Sequence, residues 1–292
     1  MPPTMEINKK MVALTNLEKE LWPGEGITKY DLIKYYLEIS PYILPHLKNR
    51  FLVFQRFPQG IHGQGFYQKN SPQGAPSWLE TIPFHHGKKV TNYILATGPE
   101  TLSWLGNQAC LEIHQWLSSV ETPDNPDFAV FDLDPMEGIS FSQICTVAMA
   151  VKNLLKKKGL RCYAKTSGSR GIQIYLPLVP VYTYEMSRTF CEDTFKQIFK
   201  SLPGITTLER SVSIRGEKIY LDYLQNGRGK TLAAPYSLRP LPGAPVSAPL
   251  EWSEVAASSF LPSSFNIKNI FSRLYEKGDL FAPVLTDRQR II

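Results

Sequence analysis

The segment Phe128-Ala129-Val130-Phe131-Asp132-Leu133-Asp134-Pro135 constrains this chain more than any other stretch. From Phe128 to Leu133 it carries apolar residues on both faces, the pattern of a buried strand, and Pro135 stops it. Alternate residues of a strand share a face, so the carboxylates of Asp132 and Asp134 stand side by side, with Cα atoms roughly 7 Å apart. Two buried acids this close repel unless a cation lies between them, and hard oxygen ligands suit Mg²⁺ or Mn²⁺. Taken alone, the Asp-x-Asp pattern also fits a strand-end turn with solvated acids.

The surrounding pattern alternates strands and helices. Thr28 is placed to cap a helix, with Asp31 in capping-box position. Leu32, Tyr35, Tyr36 and Ile39 follow at helical spacing, and Pro41 marks the expected end. Strands are expected over 51–57, 91–96, 161–165, 172–176 and 219–224. Helices are expected over 101–109, over 144–158 with Gly159 as the stop, and over 184–200. The Pro-rich stretch 235–249 reads as an ordered wrapping segment. The expectation is an α/β (α+β) fold in one catalytic domain over residues 1–292.

Four further constellations carry chemistry. Asp222 lies in Ile219-Tyr220-Leu221-Asp222-Tyr223-Leu224, where burying it unpaired is costly; joined to Asp132 and Asp134 it completes a two-metal site, and a buried Asp–Arg pair is the alternative. Thr166-Ser167-Gly168-Ser169-Arg170-Gly171 joins two strands with small residues, hydroxyls and one cation, which suits phosphate or a plain hairpin turn. His114, in Leu111-Glu112-Ile113-His114-Gln115-Trp116, fits either a phosphate contact or a hydrogen-bonded core histidine. Asn226-Gly227-Arg228-Gly229-Lys230, followed by Arg239, fits a solvated loop or a grip on a triphosphate. The formal net charge of +6 is compatible with a polyanionic partner. The cysteines at 110, 145, 162 and 191 form no CxxC pair, which argues against a zinc ribbon and for buried thiols in a reducing compartment. The opening residues lack the apolar run of a signal peptide, and no stretch approaches the roughly 20 apolar residues of a membrane span. A cytoplasmic protein with no membrane partner is expected.

In order and wording, Phe-Asp-Leu-Asp-Pro (131–135), Thr-Ser-Gly-Ser-Arg-Gly (166–171), Leu-Asp-Tyr-Leu-Gln-Asn (221–226) and Ala-Pro-Tyr-Ser-Leu-Arg-Pro (234–240) closely resemble the polymerase domain of ligase D, in the archaeo-eukaryotic primase superfamily. The resemblance runs from Leu14 to about Trp252. It implies a primase-polymerase fold: an RRM-like catalytic sheet over about 111–260, packed beside an N-terminal αβ unit of about 1–110, with a C-terminal wrap over 261–292. It implies Asp132, Asp134 and Asp222 as ligands of Mn²⁺ or Mg²⁺. His114, Ser167, Arg170, Arg239 and nearby Lys230 look like the groups that hold an incoming nucleotide. Lys19 and Lys29 match basic residues that hold a downstream 5′-phosphate. Phe66 and Tyr67, before Lys69, match an aromatic pair that stacks on template DNA. His85-His86-Gly87-Lys88-Lys89 lies where the family has an end-bridging hairpin, and Arg215 sits in a second mobile segment.

Two positions depart from the family pattern. Gln173 stands where a histidine is usual beside the triphosphate, and an amide donates hydrogen bonds without carrying charge. Gln55-Arg56 replaces a frequent Lys-Arg pair, leaving Arg56 as the basic candidate. The function implied is template-dependent nucleotidyl transfer, preferring ribonucleotides. The substrate is DNA with a 5′-phosphorylated gap or 3′ overhang, in break repair by end joining. A Ku-like protein and a separate ligase are implied partners, since the chain has no room for ligase and phosphoesterase modules. A primer-synthesising primase and a non-catalytic end-synapsis module are the rival readings.

Overall fold

Two small hairpins, β1 (Thr4–Ile7) with β2 (Lys10–Ala13) and β3 (Glu20–Trp22) with β4 (Ile27–Thr28), lead into helix α1 (Lys29–Leu47) in a computed structural model that describes residues 3–291. Met1, Pro2 and Ile292, the extreme ends of the expected N-terminal unit and C-terminal wrap, lie outside the described residues. α1 begins with the expected capping box: Thr28 Oγ1 accepts from the Asp31 N–H, and Asp31 Oδ2 accepts from the Thr28 N–H at 2.8 Å. The expected stop at Pro41 does not occur, and the helix runs on past Pro41 and Pro45. Proline removes the N–H that would bond Leu37 O. Ser40 Oγ supplies the missing donor at 2.8 Å, while burial of Ile43, His46 and Leu47 rewards the extra turns.

The chain then builds β5 (Arg50–Arg56), β6 (Phe66–Gln68), the hairpin β7 (Thr81–His86) with β8 (Lys89–Ile94), α2 (Pro99–Asn107) and β9 (Cys110–Ser119). Next come β10 (Phe128–Pro135), α3 (Phe141–Lys157), β11 (Tyr163–Thr166), β12 (Ile172–Pro177) and α4 (Tyr184–Ser201). β13 (Thr206–Thr207), β14 (Ile219–Asp222), β15 (Thr231–Ala233), β16 (Pro249–Leu250), α5 (Trp252–Ala257) and α6 (Ile270–Lys277) complete it. Two sheets dominate: a six-stranded sheet ordered β13-β14-β10-β12-β11-β16 and a four-stranded sheet ordered β15-β9-β5-β6. β15 and all of β9 but Cys110, within the span 111–260, are hydrogen-bonded into the four-stranded sheet rather than the six-stranded one.

Burial explains the layers. One face of the six-stranded sheet (Ala129, Phe131, Leu133, Ile172, Ile174, Leu176, Ile219, Leu221) packs under α3 and α4. α3 contributes Ile144, Val147, Ala148, Val151 and Leu155, an apolar stripe at helical spacing. Phe131 meets Phe195 of α4 edge to face, with ring centroids 5.2 Å apart. The four-stranded sheet packs Leu52, Phe54, Leu111 and Ile113 against α1 and α2 in a second core. Leu117, Phe128, Val130, Tyr175 and Leu232 join the two sheets, together with Phe281 and Val284 from the C-terminal segment. The Pro-rich stretch wraps as expected, burying Leu238, Ala244, Val246 and Ala248. All four cysteines are buried free thiols. No helix of the described residues is long and apolar enough to cross a membrane.

Candidate active site

β10 is flanked by β14 and β12, and its register decides the site. Asp132 lies opposite Asp222 on one side and opposite Gln173 on the other, and Asp134 lies opposite Tyr220. Cross-strand partners share a face, so the predicted acids gather on the face away from α3 and α4. Above them is a cleft of about 360 Å³, whose lining includes Tyr67, His114, Asp132, Asp134, Ser167, Arg170, Gln173 and Arg239. Residues from both sheets therefore converge.

Electrostatics at the floor follow from crowding. Burial first, then the facing charges of Asp222 and Asp134, push the Asp132 carboxyl up to about 7, while Gln173 and Lys165 favour its ionised form. Burial also raises Asp222, with Asp134 adding repulsion, although Asp222 Oδ1 accepts the Leu224 N–H at 2.9 Å. Among the described residues no three acids or histidines already converge on one point. Asp134 leans outward, its Oδ2 3.4 Å from Arg215 Nη1. Arg215 is itself buried, stacked on Tyr220 at 3.9 Å and bonded to the carbonyls of Glu209 and Arg210.

The cleft wall is organised by a residue the sequence reading passed over. Glu112 Oε2 lies 2.5 Å from His114 Nε2, and Glu112 Oε1 accepts from Arg239 Nε at 2.6 Å. Burial would raise this carboxyl, but the hydrogen bonds of His114 and Arg239 outweigh it and hold it below the ordinary value. The sequence held a signal: Glu112 and His114 are two apart in an apolar strand, hence on one face. Arg239 also donates to Ser167 O at 2.6 Å, fastening the 166–171 loop to the wall. Within the loop, Ser167 Oγ accepts from the N–H groups of Ser169 and Gly171. Gly168 has φ +71°, and a Cβ there would meet Arg239 Cγ at 2.7 Å. Arg170 is exposed at the mouth, without a carboxylate partner among the described residues. Lys230 is also exposed and only its neighbour Thr231 lines the cleft.

A second basic surface lies beside the first. Lys29 is buried and its ammonium is pulled below its ordinary pKa by burial and by the nearby charges of Lys19 and Arg56. Lys19 donates to Gln59 Oε1, and Arg56 to Gln108 O, Gln108 Oε1 and Gln68 Oε1. Lys19 and Arg56 are thus held by neutral acceptors. The aromatic pair is divided by strand alternation. Phe66 stacks on Arg56 at 5.3 Å, whereas Tyr67 faces the cleft, edge-on to His114 at 5.8 Å; both are exposed. Lys69, also exposed, joins Arg228 and Lys89 around His86 on the β7–β8 hairpin, whose imidazole is lowered by burial and then by these three charges.

Comparison with known proteins agrees with this architecture. The chain is 35% identical over 278 residues to the multifunctional non-homologous end joining protein LigD of Mycolicibacterium smegmatis, and 38% identical over 265 residues to the bifunctional LigD of Bacillus subtilis. These alignments take in 94% and 90% of the chain but only 36% and 42% of those relatives' lengths. The polymerase domain of Mycobacterium tuberculosis ligase D, solved in complex with DNA, superposes with a TM-score of 0.88 at 31% identity, over 95% of this chain and 99% of that one. The model of the LigD primase-polymerase domain matches residues 28–281. With its sequence matched from α1 into the C-terminal segment and its fold shared with a ligase D polymerase domain, this chain belongs to the LigD primase-polymerase domain family.

Proposed function

We propose that the chain is a template-dependent nucleotidyltransferase. It moves a nucleoside monophosphate from a triphosphate to a DNA 3′-hydroxyl and releases pyrophosphate. The observation that carries this reading is the register placing Asp132 opposite Asp222, beneath a cleft walled by His114, Ser167, Arg170 and Arg239. Such a cleft pairs an anionic floor with cationic and hydroxyl-bearing walls. The donor set fits a hard divalent cation: crowded carboxylates, with no thiol or imidazole on the floor among the described residues. Asp132, Asp134 and Asp222 would hold Mg²⁺ or Mn²⁺. When bound, these ions would supply charge neutralisation for the triphosphate and acidify the attacking hydroxyl.

The residues of the chain do the rest. Arg239 and His114, oriented by Glu112, bind triphosphate oxygens, with Ser167, Arg170 and Gln173 beside them. Lys230 approaches from the exposed side. Lys19, Lys29 and Arg56, without carboxylate partners among the described residues, offer a pocket for a 5′-phosphate at the far side of a gap. Phe66, Tyr67 and Lys69 line the way for the template. Arg215 has to leave Asp134 for that carboxylate to share an ion with Asp132 and Asp222. The substrate is gapped or overhanging DNA, ribonucleotides are preferred over deoxyribonucleotides, and the setting is end joining with a Ku-like protein and a ligase.

The test is extension of a labelled primer across a 5′-phosphorylated gap, with NTPs or dNTPs and Mg²⁺ or Mn²⁺. Templated addition, stronger with NTPs, is the expected result. Asp134→Ala should abolish incorporation, by about 10³-fold or more, and leave gapped-DNA binding intact. Undiminished incorporation by that variant would reject the metal assignment.

A further inference from the structure

The line of side chains that crosses the six-stranded sheet does not stop at Gln173. Asp222 faces Asp132, Asp132 faces Gln173, and Gln173 faces Lys165 of β11. Lys165 is fully buried. An ammonium removed from water requires partners, and among the described residues it has no carboxylate at ion-pair distance. Its hydrogen bonds are to Gln173 Oε1 at 2.6 Å and Ser247 Oγ at 2.5 Å, and Ser247 in turn donates to Thr166 O at 2.8 Å. Tyr175 presents its ring 5.6 Å from the same nitrogen.

This arrangement leaves the amide one orientation. Lys165 Nζ donates to Gln173 Oε1, so Gln173 turns its oxygen toward Lys165. Its NH₂ is thereby turned to the opposite side, toward Asp132 and the cleft that Gln173 lines. A free glutamine side chain has no such preference, because its two ends are nearly the same size. In the reversed orientation it would present an oxygen to phosphate oxygens.

We propose that Lys165 is a positioning residue that locks the Gln173 amide with its NH₂ facing the cleft, making Gln173 a fixed hydrogen-bond donor to the triphosphate. The proposal rests on the reading of the cleft as a nucleotide site. It also accounts for a neutral side chain beside the triphosphate: Lys165 supplies the orienting N–H from below, and the amide relays it as a directed donor.

The experiment is a double-mutant cycle on the intact chain, reading the affinity for a fluorescent ATP analogue with Mn²⁺, together with KM and kcat for primer extension. Lys165→Met and Gln173→Leu should each weaken binding about tenfold, the worth of one hydrogen bond to a charged group. The double variant should be no weaker than Gln173→Leu alone. Gln173→Glu should lose affinity by a similar factor with an undiminished melting temperature, since its carboxylate pairs with Lys165 but donates nothing. In extension the loss should fall on KM more than on kcat. If Lys165→Met costs the same factor in both backgrounds, or costs nothing, the clamp is wrong and the lysine is only structural. Wild-type affinity in Gln173→Glu overturns it as well, and that variant decides should Lys165→Met not fold. Nucleotide binding by the wild-type chain without extension would reject the polymerase reading alone, and the binding cycle would still judge the clamp.

Discussion

Among single residues, Glu112 has the widest influence on the cleft wall. One carboxylate holds His114 through one oxygen and Arg239 through the other, so the spacing of the two groups proposed to bind phosphate depends on it. Glu112→Gln keeps the shape, but the new NH₂ cannot accept from one of those donors. We expect KM for the nucleotide to rise about tenfold, with a smaller change in kcat, as one charge-assisted hydrogen bond is lost. Steady-state kinetics on a gapped primer would check this, and an unchanged KM would show that the wall holds itself. Lys19 makes a separate case. Among the described residues, the one hydrogen-bond partner of its ammonium is Gln59 Oε1, leaving donors for a phosphate. Lys19→Ala should weaken binding to 5′-phosphorylated gaps by about 1–2 kcal/mol and leave unphosphorylated gaps unaffected. Equal loss on both would reject a 5′-phosphate pocket.

The 166–171 loop shows why small residues recur where two strands meet over a charged floor. A Cβ on Gly171 would stand 2.2 Å from Leu133 O of β10, far inside van der Waals contact. Gly171→Ala must therefore push the start of β12 away from the aspartate strand. Overpacking of this kind costs about 1–3 kcal/mol, visible as a lowered melting temperature. Because β12 carries Gln173, nucleotide binding should suffer as well. A variant as stable and active as wild type would mean that the strands part without consequence. Helix α1 runs past its expected end for a reason of the same kind. Pro41 is a local stop signal, and local chemistry at Ser40 together with core burial beyond it overrode that signal.

Across the whole molecule, the C-terminal segment is tied to α1 by a carboxylate. Asp279 Oδ2 lies 3.0 Å from His46 Nε2, and Asp279 Oδ1 accepts from Tyr236 Oη at 2.5 Å and from the Phe281 N–H at 2.9 Å. Burial would raise this carboxyl, but those hydrogen bonds outweigh it, so its folded value lies below the ordinary one. A depressed carboxyl contributes stability that is fully present above the unfolded value, about 3.9, and that fades as pH falls through the folded value. Asp279→Asn should therefore destabilise the chain by about 1–3 kcal/mol at neutral pH. The difference from wild type should shrink below about pH 4. Denaturant melts at pH 7 and pH 3 would show it; a gap that stays constant would assign the loss to packing.

The residues of the floor were legible in the sequence because their cause is local. An apolar run ending in Asp-Leu-Asp dictates a buried strand with two acids on one face, and Asp222 in a similar run announces a second. Most helices and strands of the catalytic sheet were legible for the same reason, since periodicity and caps are written in consecutive residues. What pairs with what was decided only in three dimensions. The register that sets Asp132 opposite Asp222, the division of Phe66 from Tyr67, and the bonds of Glu112 to Arg239 all join residues distant in sequence. Lys165 shows the limit most clearly. Between Ala164 and Thr166 it reads as the solvent-facing half of an alternating strand, and only the neighbouring strand with Gln173 and the wrapping segment with Ser247 bury its amine beneath the site.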